Sequence, residues 1–482
     1  MTQGLNTSPK DASPLIDVPP EGLRRIGRWG LVIALGSFLF GFDTGVISGA
    51  LLFIKQEFGL SAFEQGSVVS VLLLGAIAGA LLSGRVSDRF GRRATLAGLG
   101  LTFAVGIAIA ALATGYWMVL LGRIVMGIGV GGVSAVVPTY LSEMSPAQIR
   151  GRMLTLNQLL ITVGLLAAYL VNLVFAGSEN WRAMFWVGAV PALALALGVL
   201  RVPESPAWLL AKGRVTEAKA EIASVAGDSG AERAIAVFQR QDTATWRTQA
   251  NGQGPPRTGW QVLTSAHLRP ALVVGLTLAA LQQFAGINTI IYYAPTIMQQ
   301  TGLSASNSIF YSVAIGVINL AMTVVSIRLV DRVGRRRLLT VSLAGMLGSL
   351  LLLGLSFVAN LSSVITLVCI LLYIVAFAIG MGPVFWVLLG EIFPPRERAQ
   401  GVAAGSTVNW LANFVVSLVF LPVLQLIGTG ETFWLFAVVC TFALWFVQRY
   451  VPETRDRDDE QVDSELQARW AGQAPAAVGQ PG

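Results

Sequence analysis

Two cysteines and one histidine are all that this chain of 482 residues offers to disulfide or metal chemistry. Cys369 and Cys440 both lie inside long apolar runs, and His267 stands alone at the edge of another, where it reads as an interfacial surface residue. That pattern argues against a disulfide scaffold, a zinc module or a Cys/His catalytic pair. Charge is also scarce. Asp, Glu, Lys and Arg make up 12% of the chain, against roughly 25% in a soluble protein. So few charges over this length cannot cover a compact particle in water, which argues against a cytosolic enzyme and against a disordered chain. Walker A loops, zinc-ligand spacings and hydrolase triads are missing too. Gly127-Ile128-Gly129-Val130-Gly131-Gly132 fits the G-x-G-x-x-G pattern, but it falls in mid-run with no strand before it. No cofactor, no metal and no enzymatic activity are expected.

Apolar residues are abundant, at 54%, and they are segregated. A membrane-crossing helix needs about 20 of them in a row. Cutting the runs at turn-rich breaks such as Thr114-Gly115, Thr301–Asn307 and Asn360–Ser363 gives twelve spans. They lie near 29–53, 65–84, 94–113, 116–139, 153–175, 182–200, 270–299, 307–327, 338–358, 363–390, 400–427 and 432–450. None shows the polar face that a soluble helix of such length carries. Residues 1–20 are polar and Pro-rich, and Arg24, Arg25 and Arg28 lead directly into the first span, so no cleavable signal is expected.

The loops are unequal in Lys and Arg. Only Lys55 and Arg182 fall on one side and Arg123 lies within a span; the rest of the 33 fall on the other side, which is therefore expected to be cytoplasmic, with both termini. The net charge of +7 needs no nucleic acid and has anionic lipid headgroups as its natural partner.

The chain repeats itself. Asp88-Arg89-Phe90-Gly91-Arg92-Arg93 returns as Asp331-Arg332-Val333-Gly334-Arg335-Arg336; Glu143-x-x-Pro146-x-x-x-Arg150 as Glu391-x-x-Pro394-x-x-x-Arg398; Pro203-Glu204-Ser205 as Pro452-Glu453-Thr454. Three matches in order, at nearly constant separation, define two halves of six spans. An even number preserves orientation, so the halves are parallel repeats, the arrangement of major facilitator transporters. The expected layout is a cytoplasmic segment 1–28, a first half 29–202, a linker 203–268 with short amphipathic helices (Val215, Ala218, Ile222 and Val225 at helical spacing), a second half 269–451 and a disordered tail 452–482. Positive-inside bias explains the arginines of the repeated motifs but not the acids. Asp88, Glu143, Glu204, Asp331, Glu391 and Glu453 are therefore expected to pair with Arg92, Arg150, Arg335 and Arg398 across the seam between halves, as a cytoplasmic gate.

Two ionisable residues lie deep in spans, Asp43 in the first and Arg123 in the fourth. Each costs about 2.5–3.5 kcal/mol at a helix centre. A carboxylate beside Arg stays ionised, and parting the two in a buried site raises its proton affinity, so the pair is a candidate proton-coupling site. The second half instead carries amides and indoles: Gln282, Gln283 and Asn288 in the seventh span, Asn319 in the eighth, Trp386 in the tenth, Asn409 and Trp410 in the eleventh, with Gln158 from the fifth. Amides donate and accept at once and indoles offer a flat apolar face with one donor, which suits a hydroxyl-rich ring. Gln283 and Asn288 do not share a face of an ideal helix, and Gly286 between them would let the helix unwind. Gly41-x-x-x-Gly45-x-x-x-Gly49 and Gly75-x-x-x-Gly79 read as close-packing faces.

Over residues 25–450 these residues resemble the sugar porter family of the major facilitator superfamily. The resemblance rests on GRVSDRFGRR and RLVDRVGRR, GRIVMGIGVG, PTYLSEMSPAQIRG, PESPAWLL, QQFAGINTIIYYAP, GPVFWVLLGEIFP, NWLANF and PETR. It implies an all-α membrane protein of twelve helices in two pseudo-symmetric halves, which alternates between outward- and inward-open states around a monosaccharide. It implies sugar contacts at Gln158, Gln282, Gln283, Asn288, Asn319, Trp386, Asn409 and Trp410 with Phe40 nearby, an outer gate at Tyr292 and Tyr293, and proton coupling at Asp43 with Arg123. Leu165 stands where a bacterial xylose symporter has a second glutamine, and Ala378 where human glucose facilitators carry a glutamate. The expected function is proton-coupled import of a monosaccharide by a monomer in a bacterial inner membrane. A passive facilitator and a membrane sugar sensor remain as alternatives.

Overall fold

The computed structural model describes residues 14–15, 18–250, 265–394, 397–455 and 457–472. They are helical, with no strand among the described residues. Lipid offers no partners for backbone N–H and C=O groups, so each apolar run satisfies its own by coiling. In the first half these helices are α1 (Pro20–Phe58), α2 (Ala62–Phe90), α3 (Arg92–Ala111), α4 (Tyr116–Glu143), α5 (Ala147–Ala176) and α6 (Trp181–Gly198). Two helices follow, α7 (Pro206–Ala211) and α8 (Val215–Ala250). The second half begins with a broken span, α9 (Arg269–Phe284) and α10 (Ile287–Gln299), followed by α11 (Ala305–Val333) and α12 (Arg335–Val358). A second broken span comprises α13 (Ser363–Ile379) and α14 (Met381–Glu391); then come α15 (Arg398–Ile427), α16 (Thr429–Tyr450) and α17 (Asp459–Trp470). With each broken span counted once, twelve segments are long and apolar enough to cross a membrane, at the places the hydrophobic runs indicate. The chain divides into two compact units, Met1–Gly59 with Val71–Arg257, and Leu60–Ser70 with Thr258–Gly482.

The glycine stripe of α1 is a packing face. A Cβ on Gly41 would lie 1.8 Å from the Ile161 carbonyl oxygen of α5, one on Gly45 2.7 Å from the Ala168 Cβ, and one on Gly49 2.6 Å from the Asn172 amide. Asn172 is fully buried and its Nδ2 donates to the Gly45 carbonyl at 2.9 Å. The G-x-G-x-x-G run of α4 likewise packs. Gly127 and Gly131 close on α2 at Leu72 and Ala76, while Gly129 and Gly132 close on α3 at Phe103 and Leu99.

Helix α1 begins at Pro20, ahead of the first apolar run, because its leading turns have a small core of their own. Ile26 packs with Leu15, Val18, Ile149, and Ile222 and Val225 of α8. Ala218 joins a second small core with Trp208, Leu209, Leu210 and Ile235. The amphipathic reading of this stretch is thus realised, although Val215 is exposed. Helix α8 reaches Ala250, into the stretch expected to be plain linker; residues 251–264 of that linker lie outside the described ones.

The tail corrects an expectation. Residues 459–470 are helical, not disordered. Its acidic composition hid a capping box, in which Asp458 accepts from the Gln461 N–H and the Gln461 side chain returns to the Asp458 N–H. It also hid an i,i+4 apolar pair, Val462 and Leu466, both buried. Arg398 holds Asp459 at 3.1 Å, Gln467 donates to the His267 carbonyl at 2.7 Å, and Trp470 lies against Tyr450. Residues 473–482 lie outside the described ones.

Gly41→Val forces backbone apart from backbone and is expected to destabilise the protein by about 1–3 kcal/mol or more. Gly27→Ala, whose Cβ meets nothing within 4 Å, is expected to stabilise it by about 0.5–1 kcal/mol through reduced chain entropy. Thermal unfolding in detergent reads both; equal effects would contradict the packing face.

Candidate functional site

Three constellations of polar groups stand out, and the residues singled out from sequence fall among them unequally. The first is the pair deep in the first unit. Arg123 of α4 donates from NH1 to Asp43 Oδ1 of α1 at 2.5 Å, with side chains 1% and 3% exposed. Gly41 and Gly45, which have no side chain, let α1 settle against α5 on either side of Asp43. Desolvating two charges is repaid only by close geometry, and removing one partner of such a pair costs about 3–5 kcal/mol. Phe40, one turn before, is half-buried and its carbonyl accepts from Thr44 Oγ1. Gln158 of α5 is exposed. One turn from Phe40, Ser37 donates to Asn157 Oδ1 at 2.5 Å, a bond that sequence reasoning missed.

The second constellation is an amide cluster in the second unit. The seventh span does unwind at Gly286, which has φ 95° and separates α9 from α10. The kink brings together side chains that an ideal helix would hold apart: Asn288 Nδ2 donates to Gln283 Oε1 at 2.8 Å. Gln283 Nε2 donates to Asn409 Oδ1 at 3.1 Å, and Asn409 Nδ2 donates to Gln282 Oε1 at 2.7 Å and to the Ala279 carbonyl at 3.0 Å. Gln282 Nε2 in turn donates to the Met381 and Gly382 carbonyls of the broken tenth span, at 3.1 and 3.4 Å. Gln282, Gln283 and Asn409 are buried and Asn288 half-buried. Tyr373 stiffens the kink by donating to the Ala285 carbonyl at 2.8 Å. Four of the eight amides and indoles drawn from sequence thus form one network.

The others lie around it. Trp386 of α14 is 44% exposed, with its ring edge-on to the buried Phe385, and Trp410 follows Asn409 half-buried. Asn319 of α11 is half-buried, and its carbonyl accepts from Thr323. Of the tyrosines expected to gate, Tyr292 is buried. Tyr293 is wholly buried, donates to the Ser417 carbonyl at 2.7 Å and stacks on Phe420. In this structure Tyr293 is a packing residue between α10 and α15. Its bond and its ring stack identified it; its place in a motif could not.

The third constellation occupies the Arg-rich ends, where Glu143, Glu204, Glu391 and Glu453 each take bonds from groups of their own half. Arg92 meets Glu143 with two bonds, Nε to Oε2 and NH2 to Oε1, both 2.9 Å, and Asp88 at 3.0 Å. Arg335 meets Glu391 in the same way, at 3.2 and 2.9 Å. Glu204 accepts from the backbone N–H groups of Arg92, Arg93 and Ser205, and so caps α3 from a distant segment. Glu453 repeats this on Arg335, Arg336 and Thr454. The physical reason is that the start of a helix presents unpaired N–H groups and a positive dipole end, which claim a carboxylate before a partner farther off can. Gly91 and Gly334, both at positive φ, leave room for these carboxylates: a Cβ there would strike Glu204 at 2.2 Å and Glu453 at 2.8 Å. Burial pushes the Glu204 carboxyl above the ordinary carboxylate range, opposed by the N–H groups of Ser205, Arg92 and Arg93. Arg398 pairs with Asp459 of α17, and Arg150 Nε is buried with no hydrogen-bond partner among the described residues. The side chain of Asp331 lies outside the described ones.

A cluster that sequence reasoning missed closes the opposite end of the first unit. Glu57 takes two bonds from Arg182 and one from Trp181 Nε1, and Arg182 also reaches the Ala113 carbonyl at 2.9 Å. It ties α1, α6 and the α3–α4 turn. The signal was present in Arg182, the one arginine on the Lys/Arg-poor side, but Glu57, Glu64, Glu179 and Glu431 all stand on that side, so sequence left its partner open.

Arg92→Ala removes both bonds to Glu143 where the two side chains are 11% exposed, and is expected to cost about 3 kcal/mol. Asp88→Ala, at 75% exposure, is expected to cost under about 1 kcal/mol. Comparable losses in thermal unfolding would contradict the assignment of Arg92 to Glu143.

Comparison with known proteins is consistent with this geometry. The family model for sugar (and other) transporters matches residues 29–466. The D-xylose transporter of Levilactobacillus brevis is 38% identical over 90% of this chain and 94% of its own length. The glucose transporter GlcP of Staphylococcus epidermidis is 39% identical over 90% and 96%. The solved structure of the proton:xylose symporter XylE bound to 6-bromo-6-deoxy-D-glucose superposes with a TM-score of 0.73 at 32% identity, covering 93% of this chain and all of that one. The chain is a twelve-span, multi-pass membrane protein and belongs to the sugar transporter family of the major facilitator superfamily.

Proposed function

We propose that this protein imports a monosaccharide together with a proton, by alternating access, in the inner membrane of a bacterium. The observation that carries the coupling is the Arg123–Asp43 bond, sealed from solvent inside the first unit. A carboxylate held by a guanidinium stays ionised. When a conformational change draws Arg123 away, the same buried carboxylate binds a proton. Proton and arginine thus compete for one acid, and the conformation that parts the pair is the one that carries the proton. A resident proton site needs no metal or cofactor, and one chain holding both halves suffices as the working unit.

The amide cluster supplies the sugar site in this reading. Gln282, Gln283, Asn288 and Asn409 donate to and accept from each other, so the same groups can exchange those bonds for sugar hydroxyls at little net cost. Trp386 and Trp410 offer apolar faces for the ring, with Asn319, and with Gln158 and Phe40 of the first unit, as further contacts. Tyr292 covers the site from the outer side, with Tyr293 as its anchor. The Arg-rich clusters keep each half rigid on the cytoplasmic side, and their release opens the inner gate. The relatives named for xylose and for glucose support a pentose or hexose substrate. A passive facilitator would carry the same amide cluster. Only its first-half ion pair would differ in role, as a permanent staple between α1 and α4.

Two experiments test this. In proteoliposomes, sugar uptake is expected to alkalinise the medium, and Asp43→Asn to abolish accumulation against a gradient while sugar exchange persists. Accumulation by the variant equal to that of the wild type would remove Asp43 from the coupling, and a wild type that neither alkalinises the medium nor accumulates sugar would leave the facilitator reading in place. Gln282→Ala and Trp386→Ala are each expected to weaken sugar binding about tenfold or more, some 1.4 kcal/mol, measured with a panel of labelled sugars. Undiminished binding would remove the cluster from the sugar site.

A further inference from the structure

The amide cluster does not end at side chains. Gln282 anchors it to the Met381 and Gly382 carbonyls, immediately past the point where the tenth span breaks. Gly380 there has φ −135° and ψ −71°. Pro383 brings no N–H, and its ring would strike the Ile379 carbonyl of a continuous helix. A break in a membrane helix sets backbone groups loose. The Gly380 N–H turns to the Phe377 carbonyl at 3.3 Å, which leaves the Ala376 carbonyl and the Met381 N–H without helical partners.

One hydroxyl takes both. Ser342 Oγ of α12 donates to the Ala376 carbonyl at 2.7 Å and accepts the Met381 N–H at 2.9 Å. Ser342 is buried, and a Cβ on Gly380 would lie 2.6 Å from its Cβ, so α12 and the break are in close contact.

The repeat supplies a comparison within the molecule. Gly132 precedes Glu143 by the interval at which Gly380 precedes Glu391, and Leu99 follows Arg92 as Ser342 follows Arg335. In the first half α4 runs unbroken through Gly132, Ala135 stands in the place of Pro383, and Leu99 fills the contact with apolar atoms, its Cδ2 2.3 Å from where a Gly132 Cβ would be. A hydroxyl at this place therefore accompanies the broken helix and an isobutyl group the continuous one.

We propose that Ser342 is a positioning residue for sugar binding. Its hydroxyl pins the broken tenth span so that the Met381 and Gly382 carbonyls hold Gln282 in register with Gln283 and Asn409, without touching sugar itself. This rests on the amide cluster being the sugar site, and the test separates the two. On purified full-length protein, hydrogen–deuterium exchange over residues 380–384 reads the hold on the break with no sugar present. Affinity for labelled D-xylose and D-glucose reads the site. Ser342→Ala is expected to speed exchange there about tenfold, through loss of a buried bond, and to weaken sugar affinity about tenfold by displacing Gln282. Ser342→Thr, which keeps the hydroxyl, is expected to restore both. Ser349→Ala, whose hydroxyl bonds the Gly345 carbonyl of its own helix, is expected to change neither. Unchanged exchange in Ser342→Ala overturns the splint whatever the sugar result. Faster exchange with unaltered affinity overturns its link to the site. A wild-type protein that binds neither sugar overturns the functional reading while exchange still decides the role of the hydroxyl.

Discussion

The hydrocarbon interior of a membrane offers no water to an unpaired backbone group, and this constraint shapes the rest of the molecule. At two places where the helices depart from regularity, a specific side chain takes up backbone groups near the break. At Gly286 the kink is held by Tyr373 on the Ala285 carbonyl; past Gly380 the carbonyls of Met381 and Gly382 are taken by Gln282. Gln282, a group suited to a hydroxylated ligand, is thus also one that holds a broken helix. The amides of this cluster bond one another, and in the function proposed above a ligand enters by exchange of those bonds.

The two halves share their ends and differ in their middles. At the Arg-rich ends each half repeats the same device, a carboxylate from beyond its sixth helix capping the third and an arginine forked onto a glutamate of the fourth. In the middle, the first half spends its polarity on one ion pair and the second on neutral amides. Duplication accounts for the shared frame. The divergence puts charge chemistry and hydroxyl chemistry in separate helical units.

Much of this was legible from the chain. The twelve spans follow from the lengths of uncharged runs, and the repeat from three motifs in constant order. The Asp43–Arg123 pair follows from two opposite charges that have nowhere else to go, and the kink at Gly286 from the spacing of Gln283 and Asn288. Other features were illegible for definite reasons. The acids of the repeated motifs have partners of either half available to them by sequence; only the geometry of the α3 and α12 N-termini shows why Glu204 and Glu453 turn inward. The tail helix α17 was masked by composition, since a capping box of two residues weighs little in an acidic stretch. Tyr293 looks the same in sequence as Tyr292, and its bond to the Ser417 carbonyl and its stack on Phe420 are visible only in the structure. Ser342 is one serine among many along apolar helices, and its importance exists only in relation to a break in another helix.

The capping of α3 by Glu204 has a consequence for biosynthesis. A ribosome delivers the third helix long before residue 204 emerges, so α3 enters the bilayer with its leading N–H groups bare and receives its carboxylate only after three more helices have been made. The second half repeats the delay between α12 and Glu453. In each half this cap is therefore among the last contacts to form, after the segment past the sixth membrane crossing has left the translocation machinery.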